Sequence, residues 1–287
     1  MKPGYWWVVI VVMALTATLI GAALYRNTLP PATESLVAVK PSQPVKEPAV
    51  QKEAPLPPVP AKVNVPILMY HYIRDYTDPN DPLGIQLSVS PSTFDKQLAT
   101  LATAGYETIS LEDFVAKRYK PKSIILTFDD GYDDHYTAAW PLLKKYHDTA
   151  TFFIVSGFVN RTRYMTKDQI QQLKDAGMEI GGHTVDHKNL ATMPYDKAIE
   201  EVFLSMTGRD PVFAYPSGQY NIETLDIVSA LGNQAAVTTN LGIATEESPL
   251  FELPRIRVKE QTDLLKVIAE ETAIAKHQLP PSQRSSN

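Results

Sequence analysis

The chain has 287 residues, 44% of them hydrophobic and 21% charged, which leaves room for one globular domain of roughly 200–250 residues plus appendages. A net charge of −5 argues against nucleic acid as a partner. The absence of cysteine removes disulfides, thiolate metal sites, cysteine nucleophiles and lipoprotein anchoring together.

At the N-terminus, residues 5–25 carry no charge, and as a helix they would span roughly 30 Å of hydrocarbon. Tyr5, Trp6, Trp7 and Tyr25 sit where interfacial aromatic belts belong. The apolar run is longer than a typical signal-peptide core, so residues 1–26 read as an uncleaved anchor, while Gly21-Ala22-Ala23 leaves cleavage open. Residues 27–62 are rich in proline, favour extended polyproline II and read as a semi-rigid linker. From 63 to 275 strand and helix patterns alternate, and 276–287 read as a loose polar tail.

Within that domain, residues 65–70 read as a buried strand ending at His71. Ser90-Pro91 caps a helix that Gly105 stops. Residues 106–109 form a strand, and 141–146 a helix. Ser123–Phe128 is apolar and β-branched without interruption, as suits a strand buried on both faces. Residues 150–155 are a further strand. Thr166-Lys167-Asp168-Gln169 is a capping box opening a helix. Strands follow at 178–181, 212–215, 235–239 and 256–258, with helices at 195–206, 223–231 and 262–275. Residues 74–87 carry no clear pattern. About seven strands alternating with helices predict a parallel sheet, and favour a distorted (β/α)7-type barrel related to the TIM barrel over an open sheet.

The central strand runs straight into Asp129 and Asp130, then Gly131. Buried carboxylates need a partner, and α/β folds keep their sites at the carboxyl ends of strands. A second strand ends in Gly181-Gly182-His183-Thr184-Val185-Asp186-His187. Two histidines and a carboxylate make an open three-ligand set of the zinc-hydrolase type. Asp133 and Asp134 prolong the acidic run, but the glycine and glutamate spacing of a calcium loop is missing.

Thr127-Phe128-Asp129-Asp130-Gly131 followed by His183-Thr184-Val185-Asp186-His187 resembles the polysaccharide deacetylases, the NodB-like or carbohydrate esterase family 4 domain. A looser third match is Val212-Phe213-Ala214-Tyr215-Pro216-Ser217-Gly218, and Leu68-Met69-Tyr70-His71 resembles the branch that includes poly-N-acetylglucosamine deacetylases. The resemblance implies Asp130, His183 and His187 as metal ligands, Asp129 as general base, and the backbone N–H of Tyr215 as oxyanion donor. Two departures stand out. Ala214 occupies the place where the family often has a base-orienting arginine, so Arg255 or Arg257 is expected to reach in instead. The family's general-acid histidine is also missing near Leu253, so His71 is the expected acid. Tyr132, Tyr215 and Tyr220 could stack on sugars or pack at the rim.

The implied activity is removal of N-acetyl groups from an N-acetylglucosamine-containing polysaccharide, namely peptidoglycan, poly-N-acetylglucosamine or a chitin-like polymer. An O-acetyl esterase acting on a glycan such as acetylxylan and a catalytically silent glycan-binding domain are the alternatives. The ligand set suits Zn2+, with Co2+, Ni2+ or Fe2+ possible. The expected setting is a monomer tethered to the cell membrane with its catalytic domain outside the cytoplasm, secreted if the N-terminal segment is cleaved.

Overall fold

In this computed structural model, residues 63–205 and 211–278 are described. The expected anchor at 5–25 and the linker at 27–62 lie outside them. Among the described residues no helix is long and apolar enough to cross a membrane.

Seven parallel strands build the sheet: β1 (Ile67–Tyr70), β2 (Ser123–Phe128), β3 (Thr151–Ile154), β4 (Glu179–Gly182), β5 (Val212–Ala214), β6 (Ala235–Val237) and β7 (Ile256–Arg257). Their order is β6-β5-β4-β3-β2-β1-β7, and Glu107–Thr108 pairs beside the start of β2. The helices are α1 (Pro82–Leu87), α2 (Pro91–Thr103), α3 (Leu111–Val115), α4 (Trp140–Tyr146), α5 (Lys167–Asp175), α6 (Tyr195–Phe203), α7 (Ile222–Ala230) and α8 (Leu264–Gln278). Thus α1 fills part of the stretch that showed no pattern, and the last helix runs to Gln278 rather than stopping at Ala275.

Alternation along each strand divides the core in two. Leu68, Tyr70, Leu126, Phe128, Phe152 and Ile256 pack outward with Phe94 and Leu98 of α2 and Leu173 of α5. Ile67, Ile125, Phe153, Val212, Ala214 and Val237 point into the curl, where Leu111 and Phe114 of α3 join them. Each large apolar side chain so buried stabilises by about 1.5–3 kcal/mol relative to exposure. Space inside is scarce. A Cβ on Gly181 would lie 2.6 Å from the Phe153 ring and 2.8 Å from the Val212 carbonyl oxygen, so only glycine fits that position.

The expected barrel is a curled parallel half-barrel. Its edge strands β6 and β7 have three and two residues, and among the described residues no strand ladder joins them directly. What joins the edges is the segment 253–257. Leu253 makes a parallel bridge to Val237, and three residues later Ile256 and Arg257 pair with Leu68 and Met69 of β1. Local signals hold as read: Ser90 accepts from the Thr93 N–H, and the Thr166–Gln169 capping box is formed in both directions.

Candidate active site

The site grows from the carboxyl ends of β2 and β4. Asp129 continues the inward face of β2, and its N–H still donates to the Tyr70 carbonyl at 3.0 Å. Alternation alone would send Asp130 outward. Instead the chain turns left-handed at Asp130 (φ 78°) and Gly131 (φ 77°), and the carboxylate swings back over the rim. There its Oδ1 lies 3.3 Å from His183 Nε2 and 3.2 Å from His187 Nε2.

His183 follows the last residue of β4, and its Nδ1 lies 2.7 Å from the Ala214 carbonyl oxygen. A carbonyl only accepts, so Nδ1 carries the proton and Nε2 is left with a lone pair aimed at Asp130. His187 reaches the same point because Thr184 (φ 63°) and His187 itself (φ 54°) are left-handed. One ligand atom from each of Asp130, His183 and His187 lies within 4.8 Å of the others. Burial raises the Asp130 carboxyl, but its close contacts with the two imidazoles outweigh this and leave it well below its ordinary value. His187 is pushed down by burial and pulled further up by Asp130, so its net shift is upward. A carboxylate and two imidazoles, one with its tautomer fixed, are a donor set that fits a divalent cation.

Asp129 is held differently. Arg255, completely buried, grips it bidentately: Nη1 to Oδ1 and Nη2 to Oδ2 are both 2.7 Å. The guanidinium also donates to Thr127 Oγ1 at 3.0 Å and, through Nε, to the Thr238 carbonyl at 2.8 Å. Thr127 in turn donates to the Leu68 carbonyl at 2.7 Å. Burial raises the Asp129 carboxyl, and the charge and hydrogen bonds of Arg255 outweigh it, so the group ends below its usual value. Of the two arginines considered from the sequence, Arg255 is the one on the acid. Arg257 is half-buried one step nearer the rim on the same face of β7, and burial lowers its pKa.

Two expectations change. The Tyr215 N–H donates to the Val237 carbonyl at 3.3 Å, because the β5–β6 ladder runs one residue past Ala214. It is committed to the sheet and is not a free oxyanion donor. The Tyr215 ring is buried against Tyr220, 4.9 Å between centroids, so it packs and does not meet a sugar. His71 does stand at the rim, after β1, but burial lowers its imidazole to about 4, although Asp129 and Asp130 pull the other way. Burial thus favours the neutral imidazole, which weakens the case for His71 as the acid. Tyr132 stacks on Tyr72 at 3.8 Å and on Tyr164 at 5.2 Å.

Several partners gave little sequence signal. Thr127 and the carbonyls of Thr238 and Ala214 act through register, which no local pattern shows. Ala214 itself is packed in the inward core, and the guanidinium comes from Arg255, just before β7.

A carboxylate held ionised beside a triad that could hold a cation, at the carboxyl rim of a parallel half-barrel, fits the hydrolases that use a metal ion. Residues 116–236 match the family described as polysaccharide deacetylase. Over 211 residues the chain is 33% identical to the polysaccharide deacetylase homologue YxkH of Bacillus subtilis (strain 168), covering 69% of this chain and 72% of that one. It is 27% identical over 198 residues to a poly-beta-1,6-N-acetyl-D-glucosamine N-deacetylase of Staphylococcus aureus (strain MRSA252), covering 60% and 68%. The structure of the Streptococcus pyogenes deacetylase PplD in complex with acetate superposes with a TM-score of 0.67 at 33% identity, covering 73% of this chain and 99% of that one. The chain belongs to the polysaccharide deacetylase family, and it is a deacetylase.

Proposed function

We propose that the protein hydrolyses the N-acetyl groups of an N-acetylglucosamine-containing polysaccharide and releases acetate. The observation that carries this reading is the Arg255–Asp129 pair set beside the Asp130–His183–His187 cluster. The 27% identical relative named as an N-deacetylase supports N-acetyl over O-acetyl. The apolar stretch 5–25 supports a setting outside the cytoplasm, tethered to the membrane.

Asp130, His183 and His187 would hold one divalent cation, for which zinc suits the nitrogen and oxygen donors. When bound, the ion supplies polarisation of the acetamide carbonyl and a lowered pKa for a nearby water. The chain's own residues do the rest. Asp129 accepts a proton from the attacking water at a carboxylate oxygen, while Arg255 keeps that carboxylate ionised and aimed. The water oxygen bonds to the carbonyl carbon, the C–N bond breaks, and the sugar nitrogen must gain a proton as it leaves. With His71 neutral, the proton on Asp129 is the one available for return. The products are acetate and a free amine.

Acetate release tests this, measured across purified peptidoglycan, poly-N-acetylglucosamine and chitin oligomers, with acetylated xylan as the ester control. Release from the N-acetylated glycans, lost on chelation and restored by zinc, is expected. Release from the xylan alone would make the protein an O-acetyl esterase.

A further inference from the structure

We propose that Glu201 is a positioning residue: it holds the loop between His183 and His187 and thereby sets how tightly the site binds its metal ion. This rests on the reading of Asp130, His183 and His187 as ligands.

The three residues between the histidines form an arch with four of its backbone groups engaged. The N–H groups of Val185 and Asp186 both donate to Glu201 Oε2, at 2.9 and 3.0 Å. From the other side, the Ser156 N–H donates to the Thr184 carbonyl at 3.1 Å and the Gly157 N–H to the Val185 carbonyl at 2.9 Å. The arch needs such restraint. Left-handed backbone at Thr184 and His187 costs on the order of 1 kcal/mol or more per residue, and it persists where the surroundings over-determine it.

Glu201 is an odd residue for its place. It lies on the inward stripe of α6 with Ala198 and Val202, 8% exposed, where an apolar side chain would ordinarily sit. Its carboxylate is compensated by the two arch N–H groups, with the Lys188 ammonium 3.7 Å from Oε1. Removing the carboxylate strands two N–H donors and frees the ligand-bearing backbone at once. The approach from β3 is equally close: a Cβ on Gly157 would stand 2.5 Å from the Val185 carbonyl oxygen. That makes Gly157→Ala an independent push on the same arch.

The test is the zinc dissociation constant of the full chain, read by competition with a chromogenic chelator, alongside thermal melts of the metal-free proteins. Glu201→Ala is expected to bind zinc about 10–100-fold more weakly. Glu201→Gln, whose amide oxygen can still accept both N–H groups, should recover most of that loss, and Gly157→Ala should resemble Glu201→Ala. At saturating zinc, kcat should stay within a few fold of wild type. A folded Glu201→Ala protein with unchanged zinc affinity overturns the proposal. Should that variant fail to fold, Glu201→Asp keeps the charge but withdraws it by one methylene, and an unchanged constant there overturns it equally. Wild-type protein whose zinc binding is insensitive to His183→Ala would instead overturn the ligand assignment itself.

Discussion

Strand β4 carries an acid at one end and an imidazole at the other, and the two ends of the sheet treat their carboxylates in opposite ways. At the amino end Glu179 accepts from the Leu111 and Glu112 N–H groups at 3.0 and 2.9 Å, and from the Thr151 hydroxyl. These donors are neutral and serve to cap α3. Burial dominates, and the Glu179 carboxyl ends above its ordinary value. At the carboxyl end Asp129 meets a guanidinium and Asp130 meets two imidazoles, and both end below. Neutral donors fix where a carboxylate sits without defending its charge. A cationic partner such as the Arg255 guanidinium defends the charge, which a base needs.

The sharpest way to break this contrast is Asp129→Asn. It should lower kcat/KM for acetate release by about 10²–10⁴ while the zinc content, measured by atomic absorption, stays at wild-type level. A loss under tenfold would remove Asp129 from the chemistry. Arg255→Gln comes next. Without the guanidinium, burial acts on Asp129 unopposed, its pKa rises, and the acid limb of the kcat/KM profile should move to higher pH. Breaking this buried pair should also cost about 3–5 kcal/mol in denaturant unfolding. An acid limb that stays in place would mean that Asp129 does not set it.

At the other end, Glu179→Ala should cost about 1–3 kcal/mol of stability and leave kcat/KM near wild type, since only backbone capping is lost. A folded Glu179→Ala protein with collapsed turnover would erase the distinction between the two ends. Smallest of all is His71→Ala. An imidazole that takes up a proton only near pH 4 is neutral at working pH, so turnover at pH 7 should fall less than about tenfold. A fall beyond a hundredfold with zinc retained would reinstate His71 as the acid.

How far the sequence could be read follows the same division between local and distant causes. Ser123–Phe128 was legible to the residue because its apolar run is unbroken and its end is marked by charge. The Thr166–Gln169 capping box is likewise written within four residues. Asp129, Asp130, His183 and His187 stood out as chemistry at strand ends. What stayed hidden depends on register. The choice between Arg255 and Arg257 could not be read from level alone: Arg257 lies level with Thr127 across β1, yet it is the Arg255 guanidinium that reaches Thr127 and Asp129. The occupied N–H of Tyr215 follows from a single extra rung between β5 and β6. The short helix Pro82–Leu87 follows from an aspartate cap, with Asp81 accepting from the Gly84 N–H at 2.8 Å, inside a stretch without periodicity. That the sheet edges meet through residues 253–257 shows only in the pairing, which no composition reveals.

The segment 253–257 has one more consequence. It stitches β6 to β1 and delivers Arg255 in the same five residues, and it lies beyond the stretch 116–236 that matches the family. Opening that seam alone would leave the Asp130–His183–His187 cluster standing while Asp129 lost its counter-charge. Amide hydrogen exchange at Leu253 and Arg255 therefore reports on catalytic competence, and a seam that opens before the rest of the molecule makes inactivation a sub-global event that precedes melting.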